Sequence, residues 1–145
     1  MTEKTRIAFV KAGWHAEIVD QALVGFRARL AERGATTQIT PFDVPGAFEM
    51  PLLAQKLGRS GAFDAIVCAA LVVDGGIYRH DFVAQAVVDG LMRVQLDTGV
   101  PVFSVSLTPH HFQATAEHVG FFRDHFVRKG AEAADAVLMV TALEV

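Results

Sequence analysis

Apolar and polar residues follow two periods that succeed one another along the chain. Residues 6–11, Arg-Ile-Ala-Phe-Val-Lys, read as a short buried strand; Ala12-Gly13 ends it, and Trp14 and His15 occupy the turn beyond. From 16 to 33, Ile18, Val19, Ala22, Leu23, Phe26 and Leu30 recur at helical spacing against Asp20, Arg27, Arg29 and Glu32, and Gly34 closes that helix. Residues 36–42 are β-branched and alternating, which predicts a second strand near a sheet edge. The turn Pro45-Gly46-Ala47-Phe48-Glu49-Met50-Pro51 leads into a helical segment over 52–58. Residues 63–73 are apolar almost throughout, as a central parallel strand covered on both faces demands. A third helix is predicted over 78–98, with Phe82, Val83, Ala86, Val87, Leu91 and Val94 inward and Gly99 at its end. Residues 101–107 predict a fourth strand, and 110–129 a helix rich in His and Phe. The end divides: 131–136 favours helix, whereas Val137-Leu138-Met139-Val140-Thr141 favours strand.

Strand and helix alternate without a linker or repeat, which predicts an α/β fold: a three-layer α/β/α sandwich on a four-stranded parallel sheet with right-handed crossovers. Ligands bind beyond the C-terminal ends of such strands. Those ends carry Trp14 and His15, then Ala47, Phe48 and Glu49, then Asp74-Gly75-Gly76, then Ser104 to Thr108, all expected on one rim.

A length of 145 residues and 52% apolar content suit one domain with a substantial core. The net charge of -3, without any Lys/Arg cluster, gives no reason to expect a nucleic acid or an anionic membrane, so any bound phosphate is expected to be small. The single cysteine, Cys68, lies inside the apolar run; it supports no disulfide framework and is expected to be a buried packing residue. The charged N-terminus lacks the pattern of a signal peptide, and no apolar run reaches membrane-spanning length. A cytoplasmic protein in a reducing compartment is the expectation.

The stop of the apolar run 65–73 at Asp74-Gly75-Gly76 carries the most chemistry. Glycines there let the backbone approach a ligand, and the free N–H groups and positive dipole end of the following helix seat a phosphate. Ordinary turn chemistry is the alternative. Arg79 and His80 fall in the first helical turn, beside that seat. Trp14, at a strand exit, either stacks on a ligand ring or fills a core. Glu49 is either a ligand contact or a carboxylate favoured by a helix N-terminus. His111, His118 and His125 recur every seven residues, roughly 10 Å along a helix axis, too far for neighbours to share a metal ion. No metal site is expected, and a polar face or subunit contact accounts for His111 and His125. Nucleophile elbow, Walker loop and Cys-x-x-Cys motifs are missing from the sequence, as is Gly-x-Gly-x-x-Gly after the first strand.

The Pro45–Pro51 turn, taken with Val72-Val73-Asp74-Gly75-Gly76-Ile77-Tyr78-Arg79-His80-Asp81-Phe82-Val83 and Thr98-Gly99-Val100-Pro101-Val102, resembles the lumazine synthase family in order and spacing, from Ile7 to the last helix. The Gly-Gly-Ile-Tyr-Arg-His form is similar to its type II subgroup. The resemblance implies a flavodoxin-like sandwich, with helix rather than strand at the chain end. It also implies condensation of 5-amino-6-(D-ribitylamino)uracil with 3,4-dihydroxy-2-butanone 4-phosphate to 6,7-dimethyl-8-ribityllumazine, phosphate and water, with no metal or organic cofactor. Homo-oligomers built on pentamers are implied, with active sites between neighbouring subunits, and this subgroup often pairs two pentamers into a decamer. Phe121, Phe122 and Phe126, on nominally outer helix faces, fit such burial.

By position, the resemblance makes Trp14 the aromatic that stacks on the pyrimidine, and Ala47, Phe48 and Glu49 the turn that holds the pyrimidine and ribityl chain. Leu71, Val72 and Val73 become the strand end whose backbone reads the ring edge; Gly76 and Ile77 become the phosphate seat. Ser104 falls where many members have Phe, and His118 where the usual phosphate partner is Arg. A three-residue excess after His118 leaves the phosphate partner open among His118, Arg128 and Lys129. The main departure is at the proton-transfer position. Arg79 stands where most members have His, and His80 is one residue later, about 100° around the helix. A permanently charged Arg is a poor general base but holds phosphate or developing negative charge. The catalytic expectation is therefore Arg79 with His80 beside it, in a synthase that relies on positioning. A flavin- or lumazine-binding assembly without efficient turnover is the rival that Arg79 keeps open.

Overall fold

The computed structural model describes residues 4–73, 80–107 and 115–144. β1 (Thr5–Ala12) leads to α1 (Ala16–Glu32), β2 (Thr37–Val44), a single 3-10 turn (Ala47–Glu49) and α2 (Met50–Arg59). β3 (Ala65–Leu71), α3 (His80–Thr98), β4 (Val102–Leu107) and α4 (Ala116–Thr141) complete it. The four strands form one sheet in the order β2-β1-β3-β4, all parallel. Helices cover both faces, giving the three-layer α/β/α sandwich of flavodoxin-like type.

Burial follows from strand alternation. Ile7 and Phe9 of β1 and Val67 and Ala69 of β3 face α1 and α4. Ala8 and Val10, with Ile66, Cys68 and Ala70, face α2 and α3. Every residue of β3 is buried, as the unbroken apolar run requires. β2 lies at an edge and alternates between half-buried and exposed, as its pattern predicts.

Some boundaries and faces differ from expectation. α2 begins at Met50, with Pro51 in its first turn, where its missing N–H costs no hydrogen bond. α4 is one continuous helix from Ala116 to Thr141, so Val137 to Thr141 form no strand. Its buried positions Phe126, Gly130, Ala133, Ala134 and Val137 recur at helical spacing, and packing on α1 overrides β-propensity. Phe126 is therefore core, and Phe122 packs partly against that core, leaving Phe121 as the outward member of the three. On α3, Val87, Leu91 and Val94 are buried as expected, but Phe82 and Ala86 face outward.

α1 and α4 meet almost backbone to backbone. A Cβ on Gly25 would overlap the Val127 carbonyl, and one on Gly130 would overlap the Ala22 carbonyl. Arg29 and Arg33 both reach Asp135 across the same contact. Gly25→Ala and Gly130→Ala are each expected to destabilise by about 1–3 kcal/mol or more through overpacking. Thermal unfolding would show a melting temperature lower by roughly 5 °C or more; an unchanged value in either variant would contradict the close approach.

Cys68 is fully buried in β3, and burial pushes its thiol up to about 12. The thiolate is the reactive form, so native protein at pH 8 is expected to resist an aromatic disulfide reagent and to react stoichiometrically in denaturant. Rapid labelling of native protein would contradict the buried central strand.

Candidate active site

Three strand exits meet at one pocket of about 400 Å³. β1 contributes Ala12 and, in the turn beyond it, Trp14; β2 is followed by Gly46, Ala47, Phe48 and Glu49; β3 contributes Leu71, with Val72 and Val73 after it. Val83, one turn into α3, closes another side.

Local chemistry explains how these segments come together. The Gly13 N–H donates to the Val44 and Pro45 carbonyls at 2.8 and 3.2 Å, tying the β1 exit to the β2 exit. Val44, preceding a proline, is confined to extended backbone, so the strand runs straight into the turn. The Glu49 N–H then donates to the Gly46 carbonyl at 3.3 Å and winds the chain toward α2. Gly46 is a bare spot between two functional groups: a Cβ there would lie 3.4 Å from Glu49 Oε1 and 4.0 Å from the Trp14 ring. Sheet pairing ends at Leu71↔Leu107, so the backbone of Val72 and Val73 leaves the ladder at the pocket floor.

The lining is apolar except for the Glu49 carboxylate and backbone groups. Trp14 is 63% exposed and Phe48 67% exposed, two large aromatics held at the rim instead of in a core. An aromatic rim over an apolar floor with one acid and backbone hydrogen-bonding edges fits a flat, polar-edged ring. Behind the β1 exit, Lys11 contacts Asp20 of α1 at 3.0 Å and Asp43 of β2 at 3.4 Å. Burial alone would lower the pKa of the Lys11 ammonium, but the hydrogen bonds and charges of Asp20 and Asp43 raise it above its ordinary value.

Trp14, Ala47, Phe48, Glu49, Leu71, Val72 and Val73 all line the pocket. Ser104 does not. It lies on the edge strand β4, in a separate groove with Lys129 and Glu132. His118 sits in the first turn of α4, where its N–H donates to Thr115 Oγ1 at 3.3 Å and its ring meets Phe122 edge-on. Arg128 is exposed on the same helix, and Lys129 pairs with Glu132 at 3.0 Å. Gly76, Ile77 and Arg79 lie outside the described residues, and His80 is the first residue of α3. Ala12, Gly46 and Val83 were not singled out as contacts from sequence; the signal for Ala12 and Gly46 was their small size at strand exits. Among the described residues, no group of three or more His, Cys, Asp or Glu side chains is arranged to hold a metal ion, and no helix is long and apolar enough to cross a membrane.

A parallel sandwich whose strand exits enclose one aromatic-rimmed pocket defines a small-molecule-binding α/β protein. The chain belongs to the 6,7-dimethyl-8-ribityllumazine synthase family, whose model matches residues 4–144. It is 64% identical over 133 residues to the 6,7-dimethyl-8-ribityllumazine synthase of Rhodococcus erythropolis, covering 91% of this chain and 86% of that protein. It is 61% identical over 130 residues to 6,7-dimethyl-8-ribityllumazine synthase 2 of Pseudomonas syringae pv. tomato, covering 89% and 76%. The corresponding protein of Bradyrhizobium diazoefficiens is 53% identical over 131 residues, covering 90% and 79%.

The Phe48 ring belongs to neither buried cluster. Phe48→Ala is therefore expected to change unfolding free energy by no more than about 0.5 kcal/mol in urea titrations. A loss several times larger would mean that the ring is buried against something outside this chain.

Proposed function

We propose that this chain is a 6,7-dimethyl-8-ribityllumazine synthase in riboflavin biosynthesis, condensing 5-amino-6-(D-ribitylamino)uracil with 3,4-dihydroxy-2-butanone 4-phosphate. Family membership and the convergence of Trp14, Phe48, Glu49 and the Val72-Val73 backbone on one pocket support this reading. The Trp14 ring stacks on the pyrimidine, the 47–49 turn holds the ribityl chain with Glu49 accepting its hydroxyls, and the Val72-Val73 backbone reads the ring edge. Gly76 and Ile77, ahead of α3, seat the phosphate of the second substrate.

The reaction requires an amine to attack a ketone, phosphate to leave and a ring to close, and each step needs two groups held together more than it needs a strong base. Positioning supplies most of the acceleration. Arg79 stays protonated and offsets the negative charge of the departing phosphate, while His80, the next residue in the chain and the first of α3, is the available proton carrier. The chemistry uses neither a metal nor an organic cofactor in this reading. His118, Arg128 and Lys129 are the candidate phosphate partners.

We also propose a pentamer-based homo-oligomer, with two pentamers pairing into a decamer, in the cytoplasm. The placement of Ser104 and Lys129 in a groove apart from the pocket favours a site completed by a neighbouring copy, as do the outward Phe82, Met92 and Leu96 of α3. The Arg79 substitution favours one second reading: an assembly that binds flavin or lumazine with little turnover.

Mixing both substrates with the protein and following lumazine absorbance tests the proposal. Turnover above the uncatalysed rate is expected, with kcat at least about tenfold lower in Arg79→Ala. Trp14→Ala is expected to raise KM for the pyrimidine about tenfold, the size of one lost stacking contact. Absence of turnover with intact Trp14 quenching by lumazine would replace the synthase by the binding assembly.

A further inference from the structure

The inward stripe of β1 toward α1 runs Ile7, Phe9 and then Lys11, so a charge stands where the apolar pattern would place a third core residue. The Lys11 side chain is only 15% exposed, yet its ammonium reaches two carboxylates from different elements. Asp43 is its direct register partner on β2, and Asp20 lies in the second turn of α1. These residues bracket the two aromatic turns of the pocket. Trp14 lies between Lys11 and Asp20 in the chain, and Asp43 precedes the Gly46–Glu49 segment by three residues.

The bracketed backbone is strained. His15, beside Trp14, has φ 58° and ψ 45°, and it is the one non-glycine residue in the left-handed region among those described. Such a conformation persists where its surroundings over-determine it. Here the His15 carbonyl accepts the Ile18 and Val19 N–H groups at 2.9 and 3.0 Å, and the Lys11–Asp20 pair fixes the loop's two flanks.

We propose that Lys11 is a positioning residue for the pocket: it joins α1 to the β2 exit and thereby sets the spacing between the Trp14 ring and the Phe48-Glu49 turn. Lys11 does not line the pocket and touches no substrate in this scheme. Without its ammonium, nothing ties Asp20 to Asp43, and the two carboxylates turn to solvent and release the two turns from one another. The strained turn would then relax and Trp14 would swing.

The consequence for catalysis rests on the synthase reading; the consequence for Trp14 does not. Trp14 is the sole tryptophan in the chain, so its fluorescence depolarisation reports this turn alone in the free, full-length assembly. Lys11→Met is expected to speed Trp14 depolarisation and to raise KM for the pyrimidine about tenfold, with kcat and KM for the butanone phosphate each within about twofold of wild type. Lys11→Arg, which keeps the charge and reaches both carboxylates, is expected to restore both readouts. Should Lys11→Met not fold, Asp43→Asn applies the same test at smaller amplitude, because that side chain is 81% exposed and its loss leaves the cores intact. Wild-type depolarisation and KM in Lys11→Met, or in Asp43→Asn where that variant takes its place, would overturn the proposal. So would a fall in kcat with no change in KM. A wild-type protein without turnover would remove the synthase reading and leave the depolarisation test standing.

Discussion

A strand covered on both faces has no surface on which to place a polar side chain, and Ala65–Leu71 obeys that constraint at every position. Much of the fold follows from it. Two buried faces require helices above and below, and parallel neighbours require each connection to cross back over the sheet. All strands then release the chain at the same edge. The pocket exists because three of those exits lie side by side in the order β2-β1-β3, so that segments distant in sequence become adjacent walls.

The two helical layers are bound by different means. On one face α1 and α4 come together through glycine, at Gly25 and Gly130, with Asp135 drawing in two arginines at the rim of the contact. On the other, α2 and α3 pack through Met50, Ala54, Leu57, Val87, Leu91 and Val94. Gly90 lies close to Pro51 across that contact, where an added methyl would press at 3.1 Å on a ring that has little freedom to yield. The α2/α3 layer carries the pocket, since Ala12, Ala47 and Val83 are continuous with its core. On the face of α1, Lys11 of β1 pairs with Asp20 of that helix, whose N-terminal end is the left-handed His15.

The strands were legible because β-branched and apolar runs ended at glycine or proline, and the first two helices because their apolar residues kept a clean period. The last helix was not. Val137 to Thr141 have strand propensity, and only the regular return of Phe126, Gly130, Ala133 and Val137 to α1 shows why they are helical. The family resemblance supplied that helix where propensity divided. Phe82 was misplaced because periodicity shows that a stripe exists without showing where it stops, and the outward end of α3 is apolar as well. In the site, Trp14 and the 47–49 turn, placed by strand-exit logic, and the 71–73 segment, placed by the family resemblance, line one pocket, while Asp74-Gly75-Gly76 lies outside the described residues. The same logic put Ser104 on that rim, whereas it is a mid-strand residue of the edge strand β4 and lies in a separate groove.

Glu49 is the one titratable side chain among the described residues that line the pocket. Aromatic rings, small residues and strand-end backbone make up the rest, groups that fix the place and plane of a ligand and do not titrate near neutral pH. A reaction limited by bringing an amine to a carbonyl gains most from such a lining, because effective concentration needs shape and rigidity more than acid–base strength. In the proposed mechanism Arg79 fits that division of labour, since an arginine's charge is constant across the physiological range and holds phosphate without giving up a proton. The demand then falls on the spacing of the two aromatic turns. In this fold that spacing depends on the Gly13 backbone bridge and, just behind it, on an ammonium between two carboxylates.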